Sequence, residues 1–330
     1  MQTSYVSELF SILDNAALIL RRARTISYLE ALCAAGEQIV TEQITDEPVR
    51  KRLETLYSGF FHEGMTDEDV RRAFQLATLK GIKQADQKEY EMTPDALVIL
   101  IGHMVNLITA SKPVSLLDPA VGTANLLTGV LNQLEDHVTA AYGADTEDLL
   151  IRLAYTNANL QQKELHLFHQ DGLKPILIEP VDVVVSDPPV GFYPDTEMAE
   201  SYELNGIDGK AYTHFLFIEQ GLRLLKAGGY LLYLIPNRLF TDDKEKTFYH
   251  YMAKKAVVLA LLQLPLSLFQ HPEAAKSILL LQKKGESTTL SKQALLAELP
   301  DFSNEPALRT FIERMDHWFK DRKNSGKSGG

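Results

Sequence analysis

Residues 118–125 read Asp118-Pro119-Ala120-Val121-Gly122-Thr123-Ala124-Asn125, and they follow a mostly apolar run over 114–117. An apolar run that ends in Asp and passes through Gly into a helical pattern is typical of a strand-to-helix turn in an α/β sheet. Gly122 carries no side chain, so the backbone there can approach a ligand closely. The segment therefore predicts a nucleotide-like ligand at the carboxyl end of a parallel strand.

The sequence around this turn alternates between strand and helix patterns. Short apolar runs that predict strands lie at 114–118, 139–145, 165–171, 181–187, 230–236, 257–265 and 277–282. Helical patterns between them lie at 124–134, 147–162 and 212–226. Strands that are apolar on both faces and joined by helices predict an α/β fold with a mainly parallel sheet. The last run follows a short connection, so we predict that it is antiparallel.

The N-terminal quarter of the chain predicts helices without strands. Apolar residues recur there at three- and four-residue intervals, as in Leu9, Ile12, Leu13, Ala16 and Leu20. We predict a helical module over 1–88, a main domain over 89–323 and a disordered tail over 324–330. A helical lid packed on the main domain is an equal alternative for the first segment. The sequence also predicts helices at 292–299 and 305–319.

Composition restricts the class of protein. The 330 residues carry a net charge of −11, which argues against tight autonomous binding to DNA. The single cysteine, Cys33, excludes an internal disulfide framework and a multi-cysteine metal site, and we expect no metal. No signal peptide pattern occurs, and no apolar run approaches the ~20 residues of a membrane span. We expect a cytoplasmic protein.

Four of the predicted strands end in or close to Asp: Asp118, Asp145, Asp171 and Asp187. One such Asp would be an ordinary helix cap, but four at successive strand ends favour a ligand site. A nicotinamide site would require G-x-G-x-x-G after the first strand, and a phosphate-binding P-loop would require G-x-x-x-x-G-K-[ST]. Neither pattern occurs, so both kinds of site are excluded.

Residues 118–125, together with Ser186-Asp187-Pro188-Pro189-Val190-Gly191, resemble motifs I and IV of the class I S-adenosylmethionine-dependent methyltransferases. The resemblance covers about residues 92–284 and is greatest to the N6-adenine DNA methyltransferases. It implies a Rossmann-like fold with a mainly parallel seven-stranded sheet and an antiparallel last strand. Residues 264–269 and 275–280 look like a late motif of the methylating subunits of type I restriction systems.

The resemblance also implies S-adenosylmethionine as the cofactor. By that likeness Asp118 attracts its charged amino-acid portion, Asp145 accepts the ribose hydroxyls and Asp171 accepts the adenine amino group. Thr93 and Pro94 resemble motif X, which precedes motif I in this family. The predicted cofactor-binding residues are Thr93, Pro94, Asp118, Pro119, Ala120, Gly122, Thr123, Asn125, Asp145, Asp171 and Gly172.

The motif at residues 186–191 predicts the residues that bind the methyl-accepting substrate. Asp187, Pro188 and Pro189 are the predicted catalytic residues, because a carboxylate and a proline carbonyl can accept both N–H groups of a conjugated amine. The family places an aromatic residue after them, and this chain has Val190. The predicted substrate-binding residues are Val190, Phe192, Tyr193 and Phe269. Residues 194–211 are acidic, which favours a solvated lid over a nucleic-acid contact.

We therefore expect an N-methyltransferase that acts on the exocyclic amine of adenine in DNA. Alternatives are methylation of protein glutamine or of an RNA base, and a catalytically inactive regulatory or adaptor protein that binds S-adenosylmethionine. The family favours nucleic acid as a partner and the net charge disfavours it. No target-recognition domain is visible, so sequence-specific modification requires a specificity subunit or the helical module.

Overall fold

A computed structural model describes residues 5–61, 64–85, 92–110, 112–134, 137–206, 210–243, 246–285, 288 and 293–325. Contacts within it define two compact units. Unit 1 comprises residues 1–102, 121–135 and 140–170, and unit 2 comprises residues 103–120, 136–139 and 171–330. The division does not fall at 88/89, because the N-terminal helices share unit 1 with the loop that contains Gly122. The domain boundaries predicted above stay a prediction.

Helices and strands follow the predicted alternation. The helices are α1 Tyr5–Arg24, α2 Tyr28–Thr41, α3 Arg50–Tyr57, α4 Asp67–Gln84, α5 Asp95–Thr109, α6 Asn125–Leu134, α7 Asp148–Leu160, α8 Thr196–Ala199, α9 Thr213–Leu224, α10 Leu239–Asp242, α11 Thr247–Lys255 and α12 Glu305–Ser325. The strands are β1 Val114–Asp118, β2 Val138–Asp145, β3 His166–His169, β4 Val181–Ser186, β5 Leu225–Pro236, β6 Ala256–Gln263, β7 Lys276–Lys283 and β8 Leu295–Glu298.

The strands belong to one eight-stranded sheet. In unit 2 they lie in the order β1-β4-β5-β7-β6-β8, with β7 antiparallel to both of its neighbours and the other pairs parallel. The prediction of a mainly parallel sheet with an antiparallel strand at 277–282 is therefore confirmed. In unit 1, β2 and β3 pair in parallel. Because β7 runs against its neighbours, it begins at the edge where β4 and β5 end.

The N-terminal helices of unit 1 pack around an apolar core. The predicted periodic residues Leu9, Leu13, Ala16 and Leu20 are all fully buried there, and the same core includes Leu153 of α7. Burying a leucine side chain contributes roughly 1.5–3 kcal/mol, so this stripe explains why α1 folds against its neighbours.

Helix α4 begins with a reciprocal cap. The Thr66 hydroxyl accepts the Asp69 amide, and the Asp69 carboxylate accepts the Thr66 amide. Two backbone donors that the helix itself leaves unpaired are satisfied in this way. The sequence Thr66-Asp67-Glu68-Asp69 by itself predicts a cap followed by acidic residues in the first turn, and the structure confirms it.

Two expectations require correction. The sheet has eight strands rather than seven, because residues 295–298 form β8 where a helix was predicted over 292–299. Pairing of β8 with β6 overrides the helix propensity of this Leu- and Ala-rich segment. Helix α12 runs to Ser325, two residues into the predicted tail, and residues 326–330 of that tail lie outside the described residues. Among the described helices, none has the length and apolar character that a membrane crossing requires.

Candidate functional site

The ends of β1 and β4 lie side by side in unit 2. Asp118 is 2% exposed, and its Oδ1 accepts the Ala120 amide at 3.0 Å and the Ser186 hydroxyl at 2.6 Å. Ser186 is the last residue of β4 and directly precedes Asp187. The two sequence motifs, 68 residues apart, are thus joined at one edge of the sheet.

Asp187 is paired with a cation of the chain itself. Its Oδ1 lies 2.6 Å from Lys276 Nζ, and the side chains are 18% and 15% exposed. Lys276 is the first residue of β7 and lies opposite Pro236 of β5. The antiparallel course of β7 therefore places the ammonium at the carboxyl ends of β4 and β5. A charge-assisted hydrogen bond of this kind fixes the orientation of the carboxylate.

The segment after Asp187 is held by backbone hydrogen bonds. The Thr213 amide donates to the Gly191 carbonyl at 3.0 Å, and the Tyr193 amide donates to the Ala211 carbonyl at 2.8 Å. Pro188 is buried, whereas Pro189 is exposed. The two prolines and these bonds leave the segment little freedom to move.

Aromatic surface is present two residues beyond the position where the family has it. Val190 is 41% exposed and Phe192 is 59% exposed. The Phe192 ring lies 4.9 Å from the Tyr212 ring between centroids, and Lys210 Nζ lies 4.7 Å from the Phe192 centroid. The exposed face of Phe192 is therefore part of a small aromatic platform with a cation beside it.

Tyr193 lies against a predicted cofactor residue. It is 8% exposed, and its hydroxyl donates to Asp171 Oδ2 at 2.6 Å. Burial and the neighbouring Asp171 raise the pKa of the Tyr193 hydroxyl, which keeps it a donor. The other oxygen of Asp171 accepts the Leu173 amide at 2.8 Å.

Phe269, the last of the predicted substrate-binding residues, is half-buried and follows a short 3-10 turn over Leu266–Leu268.

Gly172 packs directly on the loop after β1. A Cβ atom at this position would lie 1.8 Å from the Pro119 carbonyl oxygen. The Gly172 carbonyl accepts the side-chain amide of Gln220 at 3.0 Å. Only glycine permits this contact between the loops that follow β1 and β3.

Gly122, in unit 1, has a left-handed backbone with φ of +52°. A Cβ atom there would meet no heavy atom within 4 Å, so the backbone faces open space. The Gly122 amide donates to Asp145 Oδ2 at 2.9 Å. The turn is also held by the Val121 amide, which donates to the Ala144 carbonyl at 2.8 Å. An open glycine turn of this shape fits a ligand that contacts the backbone.

Asp145 anchors two backbone segments and keeps acceptor capacity. Its Oδ1 accepts the Glu147 amide at 3.0 Å, while Oδ2 accepts the Gly122 amide. A carboxylate has about four lone-pair sites, so acceptor capacity remains for a ligand such as a ribose diol. Burial raises the pKa of Asp145, and the backbone amides oppose that shift. The remaining acceptor capacity fits the hydroxyl donors of the S-adenosylmethionine ribose.

The start of α6 is tied to the start of α5. The Asn125 side-chain amide donates to the Thr93 carbonyl at 3.2 Å, and the Asn157 side-chain amide donates to the Thr123 carbonyl at 3.1 Å. Pro94 is exposed, and its carbonyl accepts the Leu97 amide. The predicted motif X residues thus lie beside Asn125 of motif I within unit 1.

Sequence reasoning missed the partners of these residues. Ser186 bonds Asp118, Lys276 bonds Asp187, and Arg71 bonds Asn125. A lysine directly before a predicted strand was the only local signal among them. Within the described ranges, no three His, Cys, Asp or Glu side chains are grouped as metal ligands would be.

Comparison with known families matches the chain in two segments. Residues 78–323 match the N-6 DNA Methylase family, and residues 7–82 match the YtxK N-terminal helical domain. The uncharacterized protein YtxK of Bacillus subtilis (strain 168) is 43% identical over 329 residues, which cover 98% of this chain and all of that protein.

Solved structures that resemble this chain are also methyltransferases. A candidate class I S-adenosylmethionine-dependent methyltransferase from Listeria monocytogenes is 41% identical, with a TM-score of 0.87 over 96% of this chain and 99% of that chain. The methyltransferase subunit of a type I restriction-modification system from Streptococcus thermophilus is 14% identical, with a TM-score of 0.61 over 89% of this chain and 70% of that chain. At that identity the second likeness shows the fold alone.

Proposed function

The chain belongs to the N-6 DNA methylase family of S-adenosylmethionine-dependent methyltransferases, and from this membership we propose that it methylates the exocyclic amine of adenine in DNA. The observation that carries the proposal is the Asp187 carboxylate, which Lys276 fixes at the end of β4. Pro188 and Pro189 follow it on a segment with little freedom. An adenine amine has two N–H donors, and the carboxylate and the Pro188 carbonyl are two acceptors for them.

The chain's contribution to catalysis is positioning. The lone pair of an aromatic amine is delocalised into its ring and is a weak nucleophile. Hydrogen bonds from both N–H groups to fixed acceptors favour a more tetrahedral nitrogen, whose lone pair is available. Preorganised acceptors of this kind contribute roughly 10²–10³-fold to the rate. Bound S-adenosylmethionine would supply the methyl group from its positively charged sulfur: the S–CH3 bond breaks as the N–CH3 bond forms, the sulfur leaves as a neutral thioether, and the nitrogen releases one proton to solvent.

In unit 1 we propose Asp145 as the acceptor of the ribose hydroxyls and Gly122 as the position of close backbone approach. The residues proposed to shape this part of the site are Thr93, Pro94, Thr123 and Asn125. The support is the open space at Gly122 and the unused acceptor capacity of Asp145.

In unit 2 we propose Asp118 for the amino-acid portion of the cofactor and Asp171 for its adenine amino group. Pro119, Ala120 and Gly172 are proposed to shape the two loops that carry these carboxylates. The support is the close packing of Gly172 on Pro119 and the hydrogen bonds that orient both side chains.

For the methyl acceptor we propose Phe192 as the stacking surface, with Val190 and Phe269 as further contacts. The exposed ring of Phe192 and the adjacent Lys210 support this assignment. Tyr193 was predicted to bind the substrate, but its ring is buried, so we propose that it acts through Asp171, which its hydroxyl contacts.

A second candidate substrate is a glutamine side chain in a protein. A primary amide also presents two N–H donors, and it does not need an aromatic residue at position 190. The acidic segment after Tyr193 carries Asp195, Glu197 and Glu200, which repel a phosphate backbone and attract a basic protein surface. A base in RNA is a third acceptor with the same donor pattern.

We further propose that the chain acts in the cytoplasm and that a separate specificity subunit directs it to DNA. The buried, unpaired Cys33 agrees with a reducing compartment. A subunit partner is supported by the shared fold with the methyltransferase subunit of a type I system. We also propose that residues 1–88 form a separate helical module, which agrees with the match of residues 7–82 to the YtxK N-terminal helical domain.

The test is transfer of tritium from labelled S-adenosylmethionine to DNA, RNA and protein fractions of a cell extract. Label recovered as N6-methyladenine in DNA, and lost in Asp187→Ala, supports the proposal. Glu313→Gln, an exposed acidic position on α12, is the control and is expected to keep the label. Label in protein or RNA refutes adenine in DNA as the substrate. Cofactor binding without label in any fraction identifies a regulatory or adaptor protein.

A further inference from the structure

A fully buried arginine lies in α4 of the helical module. Arg71 is 0% exposed, and burying a guanidinium costs several kcal/mol of hydration that its partners must offset. Its Nε donates to Glu68 Oε2 at 2.7 Å, and its Nη2 donates to Glu68 Oε1 at 2.5 Å. Nη2 also contacts Asp95. Two carboxylates therefore neutralise the charge and hold the guanidinium plane in one orientation.

The remaining nitrogen of Arg71 reaches the first residue of α6. Nη1 donates to Asn125 Oδ1 at 2.6 Å, and the nitrogen of the same Asn125 amide donates to the Thr93 carbonyl. Asn125 is 4% exposed, so both ends of its amide are held inside the protein. Arg71 thereby connects α4 with the starts of α5 and α6.

Helix α6 packs closely against this arrangement. A Cβ atom at Gly129 of α6 would lie 2.1 Å from Val98 Cγ1 and 3.4 Å from Arg71 Cδ. Glu68 also accepts the side-chain amide of Asn132 at 3.2 Å. Helix α4 is thus joined to α6 at two points, and the Gly122 turn directly precedes α6.

We propose that Arg71 is a positioning residue through which the helical module sets the geometry of the glycine turn and so the affinity for S-adenosylmethionine. The inference rests on the proposed cofactor roles of Asn125 and Thr93. It gives the N-terminal helices a function at the cofactor site, in addition to their own packing. A perturbation of α4 then changes cofactor affinity without a contact to the ligand.

The test compares Arg71→Lys and Glu68→Gln with Arg72→Met. Lysine keeps the positive charge but cannot bond Glu68, Asp95 and Asn125 together, because it lacks the planar fork. Glu68→Gln keeps the shape of its side chain and weakens its hold on Arg71. Arg72 is the matched control, because it is the next residue, is half-exposed and pairs with the same Asp95.

The measurements are the dissociation constant of S-adenosylhomocysteine, the demethylated product, by calorimetry and the melting temperature of the ligand-free protein. We expect the dissociation constant to rise about tenfold in Arg71→Lys and about threefold in Glu68→Gln, since 1.4 kcal/mol corresponds to tenfold. Arg72→Met keeps the wild-type constant. If Arg71→Lys does not fold, Glu68→Gln decides the question.

Two failures are distinguishable. If the wild-type protein binds no S-adenosylhomocysteine, the proposed function itself fails. If the wild type binds it and the folded Arg71→Lys and Glu68→Gln proteins bind it equally well, this inference alone is overturned. A lowered melting temperature with an unchanged dissociation constant also overturns it, because that result indicates a purely structural arginine.

Discussion

Substitution of Gly172 by alanine tests how closely the two loops after β1 and β3 must pack. The added Cβ would lie 1.8 Å from the Pro119 carbonyl oxygen and 2.8 Å from its carbonyl carbon. Real Cβ atoms essentially never approach a heavy atom closer than 3.0 Å, so the two atoms must separate by about 1.2 Å. Both clashing atoms belong to the backbone, and a rotamer change cannot relieve the contact.

The expected cost follows from that displacement. Overpacking of a well-packed region destabilises by about 1–3 kcal/mol, and the melting temperature is expected to fall by several degrees. Pro119 lies directly after Asp118, and Gly172 directly after Asp171. A shift of about 1 Å in positioning groups can cost up to about 100-fold, so we expect at least a tenfold rise in the dissociation constant of S-adenosylhomocysteine.

Calorimetric titration and thermal unfolding measure both effects on the same protein. Gly206→Ala is the control, because Gly206 is exposed and a Cβ atom there would meet no heavy atom within 4 Å. Its melting temperature and dissociation constant are expected to equal those of the wild type. If Gly172→Ala also matched the wild type in both measurements, close packing of these loops would not be a requirement of the site.

Four further outcomes are expected. Asp187→Ala lowers methyl transfer by at least about 100-fold and leaves the dissociation constant of S-adenosylhomocysteine nearly unchanged. Asp145→Ala instead raises that dissociation constant about 10–100-fold. Equal loss of methyl transfer and of cofactor affinity in both variants would contradict the assignment. Lys276→Met removes the cation from the partly buried Asp187 carboxylate, so we expect a loss of roughly 1.5–3 kcal/mol in the free energy of unfolding and a lower kcat. Lys276→Arg is expected to restore both quantities. An unchanged kcat in a folded Lys276→Met protein would rule out the positioning role. Burial raises the pKa of Asp145 above the ordinary value of 3.8, and only the ionised carboxylate keeps all of its acceptor sites. Affinity for S-adenosylhomocysteine should therefore be lost as the pH falls through this raised pKa. The same pH titration of Asp145→Asn should lack this step. Gly122→Ala places a methyl group in the open space of the turn, so we expect a weaker affinity for S-adenosylhomocysteine and a stability loss of only about 1–2 kcal/mol. Unaltered binding would show that no ligand contacts this backbone.

Local patterns in the sequence determined the order of the elements. Each predicted strand from 114–118 to 277–282 has its counterpart among β1 to β7, since the alternation of apolar runs with turn residues is a local property of the chain. The cap at Thr66 and the glycine turn at Gly122 were also readable, because their hydrogen bonds and backbone angles involve residues close in sequence.

The identity and pairing of distant partners were decided only by the tertiary structure. Residues 295–298 became β8 because the edge of β6 was available to them, against the helix propensity of their own sequence. Lys276 contacts Asp187 across 89 residues, and Arg71 contacts Asn125 across 54. The sequence therefore fixes which residues end each strand and begin each helix. Which cation faces which carboxylate depends on strand order and helix packing, and a pairing between distant residues leaves no periodic signal in the chain.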